Sequence, residues 1–100
     1  MNRLDLHKTL CDILGTKNVY FQPPENIKIN YPAIVYSFDN IKDKKANNGV
    51  YLINKRYMVT LIDRNPESPL MDKLIMLPKC RFSRNYQSDN LYHYVFEIYI

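Results

Sequence analysis

Residues 50–63 read Val50-Tyr51-Leu52-Ile53-Asn54-Lys55-Arg56-Tyr57-Met58-Val59-Thr60-Leu61-Ile62-Asp63, a run without Gly or Pro. A period of two places Tyr51, Ile53, Tyr57, Val59 and Leu61 on one side and Leu52, Asn54, Arg56, Met58, Thr60 and Ile62 on the other, the pattern of a long strand. Both sides carry apolar residues. Something besides the strand's own core must therefore half-cover it, and the rest of the chain is read as what surrounds it.

Upstream, Ala33-Ile34-Val35-Tyr36-Ser37-Phe38 is β-branched and aromatic, follows Tyr31-Pro32, and ends at Asp39-Asn40. Between the two runs, residues 41–49 (IKDKKANNG) are the most polar stretch, and Asn-Asn-Gly tolerates positive φ. A polar excursion between paired strands is predicted there. Residues 18–22 (NVYFQ) read as a short edge strand, cut off by Pro23-Pro24, which remove two backbone donors in succession. Leu6, Leu10, Ile13 and Leu14 recur at helical spacing, with Asn2 placed to cap, Asp5 in the first turn and Gly15 at the left-handed exit.

Downstream, residues 64–69 (RNPESP) form a turn in which Ser68 is placed to cap and Pro69 to start a second helix. Leu70, Met71, Leu74, Ile75 and Leu77 form that helix's stripe, and Pro78 ends it. Cys80, Phe82, Arg84 and Tyr86 then alternate with Lys79, Arg81, Ser83, Asn85 and Gln87, and Ser88-Asp89-Asn90 is a turn. In the last run Tyr92, Tyr94, Phe96, Ile98 and Ile100 oppose Leu91, His93, Val95, Glu97 and Tyr99. The expected fold is α+β: one domain over residues 1–100, an antiparallel sheet of about four main strands, and two helices on one face. The second sheet face would be buried by self-association, since Tyr is enriched at interfaces.

With 46% hydrophobic residues, nine Tyr and four Phe, the 100-residue chain has the composition of a folded domain, and no apolar run approaches the length that spans a bilayer. The first residues alternate charge with Leu, unlike a signal peptide, so a cytosolic site of synthesis and folding is expected. Cys11 and Cys80 have no metal or redox spacing and read as reduced core thiols. His7 and His93 lack partners at ligand or triad spacing, the carboxylates are dispersed, and Gly15 and Gly49 alone cannot build a phosphate loop. No catalytic, metal-binding or cofactor-binding residue is expected, and the chain is not expected to be an enzyme. A net charge of +4 permits a nucleic-acid partner. Strict alternation, however, sends Arg81 and Arg84 to opposite strand faces, and Asp43 interrupts Lys42, Lys44 and Lys45.

Several short motifs, taken in order, resemble the tail terminator, or tail-completion, proteins of long-tailed bacteriophages. They are Val19-Tyr20-Phe21-Gln22-Pro23-Pro24, Tyr31-Pro32-Ala33-Ile34-Val35-Tyr36, residues 47–51, Arg56-Tyr57-Met58-Val59-Thr60, residues 63–69 and Asp89-Asn90-Leu91-Tyr92-His93. The resemblance implies a structural virion subunit that forms a ring, six-membered in the family. Such a ring caps the tail tube, stops its elongation and meets the head's connector or neck protein. DNA would be only a passing occupant of its channel, and no membrane is involved. Its place would be the head-proximal end of the virion tail, after assembly in the host cytoplasm. The expected self-interface is Tyr51, Tyr57, Tyr92, His93, Tyr94 and Tyr99, with Lys42, Lys44 and Lys45 as a partner-contact loop. A head-completion protein of the same virion, or a small basic nucleic-acid-binding protein, is the alternative.

Overall fold

The computed structural model describes residues 2–46 and 49–100; the side chains of residues 42–46 and 50–53 lie outside that description. The elements follow the order α1 (Arg3–Leu14), β1 (Val19–Phe21), β2 (Ala33–Ala46), β3 (Gly49–Asp63), α2 (Leu70–Ile75), β4 (Cys80–Ser88) and β5 (Leu91–Tyr99). The fold is α+β. Among the described residues the strands form one five-stranded mixed sheet, ordered β1-β2-β3-β5-β4.

Helix α1 starts and stops by local chemistry. The Asn2 side chain accepts from the Asp5 N–H and the Asp5 carboxylate accepts from the Asn2 N–H, a reciprocal box that satisfies two orphan donors. Gly15 then exits at φ 81°, where a Cβ is disfavoured, and its N–H donates to the Cys11 carbonyl. Helix α2 is a single short segment with no side-chain cap on Pro69. Ser68 is buried and its Oγ accepts from the Leu70 N–H at 3.4 Å.

One parity of the sheet packs against both helices. Leu6, Leu10 and Leu14 of α1 and Leu74 of α2 share a buried cluster with Ile34, Tyr36, Tyr57, Val59, Leu61, Tyr94, Phe96 and Ile98. These residues alternate along β2, β3 and β5, and the registers Tyr36↔Val59, Val59↔Phe96 and Leu61↔Tyr94 keep them on one face.

Three expectations change. First, β1 pairs parallel to β2, with Val19↔Ile34 and Phe21↔Tyr36, so the sheet is mixed rather than antiparallel. The connection over residues 22–32 is long enough to bring the chain back to the starting end before β2 begins, which a tight turn cannot do. Second, residues 41–46 continue β2, paired from Ile41↔Lys55 to Ala46↔Gly49, instead of forming a polar excursion. Cross-strand pairing to β3 outweighs their weak strand propensity. Third, the alternation in β4 breaks at a bulge between Phe82 and Arg84, so Cys80 and Phe82 face the helices while Arg84 and Tyr86 face away.

Leu74 and Phe96 are 0% and 1% exposed within the same cluster. Truncation of either to Ala is expected to cost about 2–5 kcal/mol. Urea unfolding monitored by circular dichroism checks this, and a loss below about 1 kcal/mol at both positions would contradict the helix-facing parity assigned here.

Candidate functional site

Among the described residues both helices pack on the cluster face, and three rows of side chains cross the other face. The pairings Ala33↔Ile62↔His93↔Tyr86, Val35↔Thr60↔Val95↔Arg84 and Ser37↔Met58↔Glu97↔Arg81 each span four strands. Ala33, Ile62 and Val95 are buried within these rows, so the face has a small apolar floor. Toward β4 the rows end in polar and aromatic groups. Tyr86 stacks on His93 with ring centroids 4.5 Å apart and planes 11° from parallel, and the Arg84 guanidinium lies 5.7 Å from the centre of the Tyr86 ring. All of β4 except Cys80 is exposed, and β4 forms the sheet's edge.

The bulge decides this arrangement. Two residues of β4 occupy one step opposite β5, so the parity reverses after Phe82 and Arg81 and Arg84 come to the same face. Strict alternation had separated them. The inserted residue is Ser83, and nothing in the composition of β4 marks it as different from its neighbours.

The predicted interface residues divide between the two faces. Tyr57 and Tyr94 are core residues, 6% and 4% exposed, and Tyr92 packs against the same cluster, so these three do not belong to the open face. The Tyr94 hydroxyl donates to the Pro66 carbonyl at 2.7 Å and lies 3.3 Å from that of Asn65, tying the 64–69 turn to β5. Its own tip is thereby satisfied inside. His93 and Tyr99 lie on the open parity. Tyr99 meets Arg56 through its hydroxyl, and Arg56 also forms an ion pair with Asp39 at 2.5 Å; the Tyr99 bond first and the Asp39 bond second hold the guanidinium above its usual range. The side chains of Tyr51, Lys42, Lys44 and Lys45 lie outside the described residues.

One polar set at the margin of the core joins residues that spacing does not connect. Tyr36, 1% exposed, shares a 2.7 Å hydrogen bond with His7 Nδ1 and accepts one from Arg3 at 3.3 Å, while the Arg3 guanidinium lies 4.4 Å from the centre of the Phe21 ring. Burial raises the Tyr36 pKa despite Arg3. The set joins residues far apart in sequence, so no local motif announces it. It satisfies a buried phenol and pins α1 to β2.

A cleft of about 170 Å³ lies between α1 and the β4–β5 end, lined mainly by Leu6, Leu77, Pro78, Ile98 and Ile100, below the size usual for small-molecule sites. No group of three or more His, Cys, Asp or Glu side chains converges among the described residues. No helix is long and apolar enough to cross a membrane among them. No family model matches the chain, and no curated protein matches it.

Both cysteines are free. Burial pushes the Cys80 thiol up to about 11 and also raises Cys11, to which Asp12 adds. A raised thiol pKa means less thiolate at pH 8, so iodoacetamide should modify Cys80 about 100-fold more slowly in the folded than in the unfolded chain. The folded rate should climb as pH approaches 11. Equal rates at pH 8 in both states, read by mass spectrometry of the peptides, would show that Cys80 is not shielded.

Proposed function

We propose that the chain is a non-catalytic structural subunit that associates with copies of itself into a ring and, as the resemblance to tail terminators implies, caps a tail tube. The observation that carries this reading is the arm formed by the outer halves of β2 and β3. These strands pair out to Ala46↔Gly49, yet β1 reaches only as far as Tyr36 on β2, and β5 engages β3 only from Arg56 to Asp63, with Ile100 bonded to Lys55. The arm is therefore a two-stranded ribbon, in a molecule 51 Å long with the arm included but only 28 Å and 23 Å across.

An isolated two-stranded ribbon is marginal in water, and both of its edges expose unpaired backbone groups. Phe38 and Ile41 at its base are 42% and 46% exposed. The β4 edge of a second copy is a strand of comparable length, also unpaired on its outer side. Adding one copy's arm to the next copy's edge would satisfy both, and a head-to-tail contact of this kind closes into a ring when its rotation permits. In this reading one side of the ring meets the tail tube protein and the other the head's neck or connector protein. The ring would then stand at the head-proximal end of the virion tail.

Two outcomes test the reading. Replacing residues 43–53 by Asn-Gly closes the ribbon at the Lys42–Asn54 pair and should leave the melting temperature within a few degrees while abolishing rings. Sedimentation and electron microscopy read this; a full chain that stays monomeric even with tail tubes present, or a shortened chain that still forms rings, would contradict the proposal. Removing the gene from its virus should give tails of uncontrolled length that fail to join filled heads. Tails of normal length attached to heads would exclude the terminator role.

A further inference from the structure

We propose that the β4 end of the open face is a contact site for the phosphate backbone of nucleic acid, with Arg81 and Arg84 as the charged ligands and Tyr86 and His93 as the support that holds Arg84 in place. The inference does not rest on ring formation, because it concerns a surface that one subunit presents by itself.

Four observations carry it. The bulge brings both arginines to one face, at the ends of adjacent rows, so they stand as residues two apart on a strand do, at roughly 7 Å. Tyr86 continues the same line one row further. A linear series of donors at that spacing suits a linear series of anions, which a phosphodiester backbone supplies continuously. A folded acidic protein would have to place separate carboxylates in register. Next, neither arginine has an ion-pair partner among the described residues, even though Glu97 is directly opposite Arg81 in the ladder, so both guanidinium groups keep their donors for a ligand.

Third, Arg84 lies against the ring of Tyr86, which His93 backs at 4.5 Å. Cation–π contact and stacking restrict the guanidinium before a ligand arrives, so less side-chain entropy is lost on binding. One face of the Tyr86 ring is thereby covered by His93, and the Arg84 guanidinium lies 5.7 Å from the ring centre. This disfavours base stacking and favours the backbone as the part recognised, with little dependence on base sequence. Fourth, Arg81, Arg84 and Tyr86 are exposed on the open face, opposite the helices, where an elongated polymer can lie across their side chains.

The test uses the full chain, a fluorescein-labelled 20-base-pair DNA duplex and fluorescence anisotropy across a series of salt concentrations. Two phosphate contacts contribute about 1.8 to the slope of log K against log salt. The double variant Arg81→Gln with Arg84→Gln should therefore lose about that much slope, which from a 1 M reference down to 50 mM salt corresponds to binding about 200-fold more weakly. The double variant Lys8→Gln with Lys17→Gln removes two exposed charges from the α1 side and should leave the slope unchanged. Circular dichroism of each variant confirms the fold, which substitutions at an exposed edge leave in place. Absence of binding by the unaltered chain at 50 mM salt would overturn the proposal. So would an equal loss of slope in the Lys8/Lys17 variant, which would reduce the effect to net charge. Displacement of the duplex by a polyglutamate peptide at equal charge concentration would assign the site to an acidic protein instead.

Discussion

The two-residue period of β3 is the constraint on which the rest of the molecule depends. Its register with β2 and β5 sets Tyr57, Val59 and Leu61 beneath the helices and leaves Met58, Thr60 and Ile62 on the opposite face. A slip of one residue against either neighbour would exchange these sets, exposing the aromatic and aliphatic core and burying Glu97 and Arg56 under the helices. Burial of one parity therefore specifies the sheet, and the sheet in turn fixes which groups are available for function. The helices follow this pattern: Leu6, Leu10, Leu14 and Leu74 cover the chosen parity and leave the other side open.

Local chemistry was legible in the chain. The Asn2–Asp5 box and Gly15 mark both ends of α1, and Asp89 and Asn90 take φ values of 52° and 62° in a two-residue hairpin that joins Ser88 to Leu91. The α+β class and the element order follow from such signals together with hydrophobic period. What was not legible depended on pairing between distant residues. The polar run at 41–46 is a strand because β3 lies beside it. The direction of β1 depends on the path of a connection whose residues carry no directional mark.

The open face shows the same limit at the scale of one residue. Alternation placed Arg81 and Arg84 apart, and the bulge at Ser83 brings them together, so a whole candidate site turns on one unpaired position. Tyr57 and Tyr94 illustrate the converse. Their parity groups them with Val59 and Phe96, whereas the enrichment of tyrosine at interfaces points to a contact surface. In the folded chain Tyr94 spends its hydroxyl on the Pro66 and Asn65 carbonyls, and its ring is as fully buried as a phenylalanine would be. Buried polar tips of this kind are settled by the turn that reaches them, which no local pattern reveals.

Edge and face thus have separate tasks in this account: the β2–β3 arm and the β4 edge join copies, and the open face stays accessible. Backbone hydrogen exchange measured on the subunit and on its assembled form tests that division most directly. The outward-pointing amides of residues 41–46, 49–54 and 81–87 should exchange readily in the isolated subunit and become protected by at least tenfold on assembly, while those of 57–62 and 94–98 are protected in both. Unchanged exchange along the arm and the β4 edge in an assembled form, with new protection confined to other surfaces, would contradict the account.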